Sequence, residues 1–147
     1  MAEEKSFENR VKRYLESIGC YAFGTPNQDI SAPVIGYYEK RWGGGQFTKS
    51  GIPDMHVVLH SVSIELEIKA SSGKPSELQL KNLDLINKSS LGYILVEDSS
   101  TVDRIKRYIN RKYPAYSHIE VINFEDFKAL IEKLKVFEKN ILTFKTT

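Results

Sequence analysis

Charged and apolar residues alternate in the hexapeptide from Ile64 to Lys69. On a β-strand, alternate side chains share a face, so Glu65, Glu67 and Lys69 would point one way and the apolar residues the other. An exposed edge strand would give the same alternation. A strand between helix-rich regions, however, is covered on both faces, and charges on a covered face are costly unless they are paired or bind a metal. Glu67 and Lys69 are therefore candidate functional residues.

A second carboxylate, Asp54, lies beside Glu67 if the two flanking strands form a hairpin. With a turn centred between His60 and Ser61, antiparallel pairing sets Asp54 directly opposite Glu67, with Cβ atoms roughly 4.5–5.5 Å apart. Carboxylates this close repel each other unless a cation lies between them. Hard oxygen ligands favour Mg²⁺, with Mn²⁺ as the expected substitute, and Lys69 could stabilise charge on a phosphate. A slip of one residue would turn Asp54 to the other face.

Two further residues give weaker signals. Glu8 lies at the edge of the apolar stripe of the first predicted helix, where a carboxylate can reach inward, although a solvated helix charge fits the spacing equally well. Glu4 has a similar angular position, but in a terminus that we expect to fray. Gln79 falls in the first turns of a later helix, where amides can meet a phosphate. Glutamine is also an ordinary residue on a helix surface.

Helical and strand periodicities alternate along most of the chain. The predicted elements are a helix over 6–18 ended by Gly19, strands over 55–59 and 62–69, a helix over 75–88, a strand over 93–96, a helix over 102–113, a strand over 119–122 and a helix over 124–138. The helix over 75–88 takes its apolar positions from Leu78, Leu83, Leu85 and Ile86. Residues 20–51 show weak periodicity, so we expect an irregular, functional segment there. The alternation predicts an α/β domain around a small sheet.

The composition limits the function classes. The chain has 147 residues, 41% of them hydrophobic and 27% charged, which suits one soluble domain with a real core. It contains no apolar run that could span a bilayer and no signal peptide, so we expect no membrane partner. A single cysteine, Cys20, excludes an internal disulfide and fits a reducing cytoplasm. The net charge is only +2, so nucleic-acid binding would depend on local clusters of basic residues.

Such clusters occur in three places, with tyrosines between them. They are Arg10, Lys12 and Arg13 in the first predicted helix; Lys40 and Arg41, after Tyr37 and Tyr38; and Arg104, Lys106, Arg107, Arg111 and Lys112, with Tyr108 and Tyr113, in the third helix. These clusters could follow a DNA backbone and stack on bases, although solvated helix faces give the same pattern. The last helix carries an apolar stripe of Leu130, Ile131, Leu134 and Phe137, which predicts core packing first and a dimer contact second.

Other chemistries fit the residues less well. Residues 43–50 nearly match a phosphate-binding loop, but Thr48 stands where the second glycine is required, and Gly51 and Pro53 follow where a helix should begin. The three histidines, His56, His60 and His118, do not have the spacing of metal ligands. Cys20 has no base partner nearby in the sequence, so we interpret it as a small buried apolar residue.

Two stretches, in order, resemble the virus-type replication-repair nuclease (VRR-NUC) group of the PD-(D/E)xK nuclease superfamily. The first runs from Trp42 to Asp54 (Trp-Gly-Gly-Gly-Gln-Phe-Thr-Lys-Ser-Gly-Ile-Pro-Asp), and the second from Glu67 to Gln79 (Glu-Ile-Lys-Ala-Ser-Ser-Gly-Lys-Pro-Ser-Glu-Leu-Gln). The resemblance covers about residues 6–96 and is strongest to small stand-alone members from bacteriophages and prophages. Residues 25–41 look longer than in compact members, and the tail after Asp98 has no clear counterpart.

The resemblance implies a restriction-endonuclease-like core over about residues 6–98, with a helix–strand–helix extension over 99–147. It also implies that Asp54, Glu67 and the backbone carbonyl of Ile68 bind a metal ion. Lys69 would be catalytic, Glu8 would be the helix carboxylate of the site, and Gln79 would assist. The implied reaction is hydrolysis of DNA phosphodiester bonds by water, with the metal ion and the lysine stabilising the developing charge.

The same resemblance extends to Holliday-junction resolvases, which implies branched or structured DNA as the substrate and a homodimer as the assembly. A location in the cytoplasm of a bacterial host would follow for a phage or prophage protein. A non-catalytic DNA-binding protein that keeps the nuclease fold is the alternative from another class, and a complete set of two acids and a lysine argues against it. A sequence-specific restriction-type nuclease is the second enzyme interpretation, but no added recognition domain is evident.

Overall fold

The computed structural model describes residues 2–22, 36–39, 51–60 and 62–146, and it shows an α/β fold in which helices flank a small mixed sheet. The helices are α1 (Ala2–Ser17), α2 (Glu77–Ile86), α3 (Ser99–Lys112) and α4 (Phe124–Thr146). The strands are β1 (Tyr21–Ala22), β2 (Gly36–Glu39), β3 (Met55–Leu59), β4 (Val62–Ile68), β5 (Leu91–Val96) and β6 (Val121–Asn123), with a 3₁₀ turn at Pro114–Tyr116 before the last strand.

The strands of the described residues lie side by side in chain order, from β1 to β6. Strand β3 runs antiparallel to both of its neighbours, β2 and β4, whereas β4, β5 and β6 run parallel to one another. Parallel neighbours need a crossover connection, and α2 and α3 supply the two crossovers between these strands. The carboxyl ends of β4, β5 and β6 therefore meet at one edge of the sheet.

Two apolar cores cover the two faces of this sheet. The first joins α1 and α4 to one face through Phe7, Val11, Leu15, Met55, Val57, Leu59, Ile64, Leu66, Ile68, Leu95, Phe124, Phe127 and Ile131. The second joins α2 and α3 to the other face through Leu80, Leu83, Ile94, Val96, Ile105, Ile109, Ile119 and Val121. Residues 99–138 contribute to both cores, so the helix–strand–helix stretch is packed into the sheet layers.

The predicted alternation on β4 is confirmed. Ile64, Leu66 and Ile68 are fully buried in the first core. Glu67 lies on the opposite face and is only 2% exposed. Both faces of this strand are therefore covered, and the exposed edge strand considered for this segment is wrong.

Three sequence predictions need correction. Residues 20–51 are not wholly irregular, because β1 and β2 lie within them. The first helix begins at Ala2 rather than Ser6, so Glu4 lies in its first turn. In α2, Leu78 and Leu85 are 44% and 51% exposed, because the helix packs on the sheet through Leu80 and Leu83 instead.

Candidate active site

The hairpin formed by β3 and β4 has the register that brings Asp54 and Glu67 together. Met55 pairs with Leu66, and Leu59 pairs with Val62, so the turn is centred between residues 60 and 61, as predicted. Extending this register by one residue sets Asp54 opposite Glu67. His60 takes a positive φ of 51° in the turn.

Asp54 is fixed by a hydrogen bond from the neighbouring strand. Its Oδ2 atom accepts the backbone N–H of Ile68 at 2.9 Å. The aspartate therefore completes the ladder where the strand pairing ends, and its carboxylate stays next to Glu67. The backbone of Ile68 is also held at the site by this bond; metal binding by the Ile68 carbonyl stays a prediction.

Gly51 and Pro53 lead the chain into Asp54. Gly51 has a φ of +80°, a conformation that glycine adopts without steric cost. A Cβ atom at this position would lie 2.7 Å from Cγ of Leu78 and 2.9 Å from Nδ2 of Asn82, both on α2. Pro53 is buried. The backbone at residue 51 thus lies so close to α2 that only glycine fits there without displacing a side chain of the helix. This close contact sets the path of the chain toward Asp54.

Glu67 is a buried carboxylate with one oxygen bonded and one without a partner. Its Oε1 atom accepts a hydrogen bond from Nε2 of Gln79 at 2.9 Å and lies 3.4 Å from Nζ of Lys69. Its Oε2 atom is buried and, when both carboxylates are ionised, has no hydrogen-bond partner. Burial, followed by repulsion from Asp54, raises the pKa of Glu67 to about 8; a hydrogen bond between protonated Glu67 and Asp54 adds to the rise, and the nearby Lys69 ammonium opposes it.

Gln79 is oriented by the start of α2. Ser76 caps the helix: its Oγ accepts the backbone N–H of Gln79 at 3.1 Å, and Oε1 of Gln79 accepts the backbone N–H of Ser76 at 2.9 Å. This reciprocal arrangement is a capping box. It turns Nε2 of Gln79 toward Glu67, so the amide expected here is at the site and contacts the carboxylate.

The side chain of Lys69 lies against Gly73, and its Nζ atom ends beside Glu67. A Cβ at Gly73 would lie 3.3 Å from Cδ of Lys69, so a larger residue would press on the lysine side chain. The lysine backbone N–H donates to the carbonyl of Leu95 at 3.1 Å, which continues the β4–β5 ladder to the edge of the sheet. The lysine side chain is mostly buried beside the carboxylates.

Helix α1 approaches the site from the other side of the sheet. Glu3 accepts a hydrogen bond from Oγ of Ser71, and Arg10 pairs with Glu97, which directly follows β5. Glu8 forms an ion pair with Lys5 at 3.9 Å, and this is not its only interaction. Among residues 2–22, 36–39, 51–60 and 62–146, no three histidine, cysteine or acidic side chains come together as a metal-binding group. The role of Glu8 at the site stays a prediction.

The residues present fit a cation beside Glu67. A buried carboxylate oxygen without a partner, next to a second carboxylate, is unfavourable in a chain on its own. A divalent cation would satisfy the open oxygen and remove the repulsion between Asp54 and Glu67. Oxygen donors of this kind suit Mg²⁺ or Mn²⁺.

The remaining candidate groups have other surroundings. His56 pairs with Glu65, His60 with Glu138 and His118 with Asp84. Cys20 is buried in the first core, and burial raises the pKa of its thiol to about 11, which keeps it protonated. Residues 43–50 and the side chains of Tyr37, Tyr38, Lys40 and Arg41 lie outside the described residues.

Comparisons with protein families, with curated proteins and with solved structures find no match to this chain. Within the described ranges, no helix is both long and apolar enough to cross a membrane.

Sequence reasoning assigned no place at the site to three residues around it, one of which, Arg104, it named only within a basic cluster. Ser76 could have been found, because serine followed three residues later by glutamine is the pattern of a capping box. The other two, Gly73 and Arg104, are joined by a 2.8 Å hydrogen bond from Nη2 of Arg104 to the carbonyl of Gly73. No spacing pattern indicates a contact between residues 31 positions apart.

Proposed function

We propose that this protein is a metal-dependent deoxyribonuclease that hydrolyses phosphodiester bonds in DNA. The observation that carries the proposal is the buried Glu67 carboxylate, whose Oε2 atom has no partner while Asp54 and Lys69 lie beside it. A purely structural carboxylate would have its oxygens satisfied. The resemblance of Trp42–Asp54 and Glu67–Gln79 to the VRR-NUC group supports the same reaction and a restriction-endonuclease-like identity for the fold.

The residues divide the work in the following way. Asp54, Glu67 and the carbonyl of Ile68 would hold Mg²⁺, which supplies charge neutralisation and activation of water when it is bound. Lys69, mostly shielded from solvent next to Glu67, would place its positive charge where negative charge develops on the phosphate. Gln79 holds Oε1 of Glu67 and leaves Oε2 for other contacts. Glu8 would add a further carboxylate from α1.

The resemblance to Holliday-junction resolvases extends the proposal to branched or structured DNA as the preferred substrate, and to a homodimer as the working form. A homodimer would place two sites on one branched molecule.

Cleavage of a labelled substrate panel tests the proposal. The panel is a four-way junction, a flap, a single strand and a plain duplex, each with Mg²⁺ or Mn²⁺ and with EDTA. We expect metal-dependent cutting by the wild type and its loss, by a factor of at least ~100, in Lys69→Ala. Lys81→Ala, which removes an exposed lysine of α2, is the matched control and should cut normally.

Two further readouts separate the reaction from simple binding. DNA affinity in EDTA should be nearly equal for the wild type and Lys69→Ala, because one lysine contributes little to a many-contact interface. Mg²⁺ should raise the thermal midpoint of the wild type but not that of Asp54→Asn, because binding to the folded state stabilises it. DNA binding without any cutting, and with no thermal response to metal, would contradict a nuclease and favour a binding protein.

A further inference from the structure

Helix α3 carries five basic residues and one acidic residue, Asp103. The buried face of the helix is formed by Thr101, Ile105 and Ile109. Along one flank of that face, spaced by three or four residues, lie Arg104, Arg107, Tyr108, Arg111 and Lys112, and Lys74 joins them from the loop before α2. We call these six residues the basic ridge. Asp103 is exposed and lies four residues before Arg107, one turn away on nearly the same side of the helix, but the two form no ion pair among the described residues.

Aromatic contacts hold the cations of the ridge together. Nζ of Lys74 lies 5.4 Å from the centre of the Tyr108 ring, and Nζ of Lys112 lies 5.8 Å from the same centre. Lys112 also lies 5.6 Å from the centre of the Tyr113 ring. The Tyr108 ring thus has an ammonium group within about 6 Å from each of two segments, the loop before α2 and the end of α3, and its π face attracts both cations.

The ridge residues of α3 form no ion pairs within the described part of the chain. Arg104 is half-buried, donates to the carbonyl of Gly73, and has a buried Nε atom without a hydrogen-bond partner. The partly exposed guanidinium of Arg104 has no carboxylate partner among the described residues, so its remaining N–H groups are available to an anion such as a phosphate.

The ridge is continuous with the candidate active site. Gly73 accepts the hydrogen bond of Arg104 on one side and lies against the side chain of Lys69 on the other. From Arg104 to Lys112 the helix rises by about 12 Å, which matches the axial rise of three to four base pairs of a DNA duplex. A nucleic-acid backbone that leaves the site past Gly73 would therefore run along α3.

We propose that the basic ridge binds the phosphate backbone of a double-stranded DNA arm next to the reacting phosphate, an inference that rests on the nuclease function proposed above. The ridge holds the duplex through charge and reads no base sequence. Its contribution is the orientation of the arm, so that one phosphate reaches Lys69 and Glu67.

Binding to a labelled duplex of about 20 base pairs, measured by fluorescence anisotropy in EDTA, tests the ridge. The test variant is Arg107→Gln combined with Arg111→Gln. The control variant is Lys133→Gln combined with Lys135→Gln, which removes the same charge from exposed positions of α4, the helix on the opposite face of the sheet. Both pairs are exposed, so both variants should fold, and their thermal midpoints are compared with the wild type.

Each phosphate contact contributes about 0.9 to the slope of log affinity against log salt. The two substitutions in the ridge variant should therefore reduce the magnitude of this negative slope by about 1.8 and weaken binding roughly 10- to 30-fold at about 0.15 M salt. The control should change both quantities far less. Equal losses of affinity in the two variants, or an unchanged salt slope in the ridge variant, would contradict duplex binding by the basic ridge.

Cleavage with Mg²⁺ is measured in parallel to keep the two proposals apart. If the wild type cuts DNA while the ridge variant keeps full affinity, the ridge is wrong and the nuclease stands. If the ridge variant loses affinity but the wild type cuts nothing, duplex binding by the ridge stands and the nuclease is wrong.

Discussion

Replacing Glu67 with glutamine should stabilise the metal-free protein at alkaline pH. Glutamine has nearly the same shape, and its side-chain oxygen can still accept the hydrogen bond from Gln79. What the substitution removes is a negative charge that is buried beside Asp54. The wild-type chain pays for that charge in stability as soon as Glu67 loses its proton.

The size and sign of the effect follow from the pKa of Glu67, which is about 8 in the folded chain against an ordinary value of 4.5. Between these pH values the folded protein holds a proton that the unfolded chain has released. The stabilising contribution of protonated Glu67 is therefore complete below pH 4.5 and is lost as the pH rises through 8. At about 1.4 kcal/mol for each pH unit, the whole loss is about 5 kcal/mol, and roughly 4 kcal/mol of it falls above about pH 5.

Urea unfolding in EDTA, followed by circular dichroism at about pH 5 and about pH 8.5, measures this loss. The free energy of unfolding of Glu67→Gln, relative to the wild type, should increase by about 4 kcal/mol between the two pH values. Groups that do not interact with Glu67 are the same in both proteins, so their contributions cancel. Glu65→Gln is the control, because it removes the same charge from the same strand at a position where the carboxylate faces His56. If the stability difference between Glu67→Gln and the wild type is the same at the two pH values within about 1 kcal/mol, the reasoning is refuted.

Two further predictions concern the backbone and the helix cap that position the site. Gly51→Ala should lower the free energy of unfolding by about 2–3 kcal/mol and reduce cleavage, because φ is positive and the new Cβ would overlap Leu78. Gly19→Ala is the control: its φ is also positive but it has no close neighbour, so urea unfolding should show a loss of only about 1 kcal/mol. Equal losses in the two variants would contradict the overlap with Leu78. Ser76→Ala should lower the free energy of unfolding by about 1 kcal/mol and lower kcat, because Gln79 loses the bond that orients it. Ser76→Asp should restore the stability, measured by thermal unfolding, and kcat, measured by single-turnover cleavage. A normal kcat in the alanine variant would disprove the positioning role of Ser76.

The register of the hairpin could be predicted because two local patterns agree. The alternation in Ile64–Lys69 determines which residues share a face, and a turn between His60 and Ser61 sets the opposing residues. Together they place Asp54 opposite Glu67 without any long-range information. The burial of both faces of β4 also followed from its position between helix-rich segments.

Contacts that depend on packing between distant segments were not predictable in this way. The strands β1 and β2 are short, and neither the pairing of β1 with β2 nor that of β2 with β3 has a local signature in a segment interrupted by glycine and proline. Leu78 and Leu85 were counted among the apolar positions of the helix, but both are exposed, because apolar residues also occur on protein surfaces. The bond between Arg104 and Gly73 exists only because α3 packs beside the loop after β4.

The surroundings of Glu67 show how the fold keeps an unfavourable charge in place. The capping box holds Gln79 against one oxygen, the hairpin holds Asp54 nearby, and the glycine at residue 73 leaves room for Lys69. Each of these supports is made by a different element, and each leaves Oε2 without a partner. Once Glu67 ionises above about pH 8, the lost free energy of about 5 kcal/mol is comparable to the whole stability of many small domains. Under the proposed function, a cation at Oε2 would return much of that free energy, so metal binding would stabilise the fold.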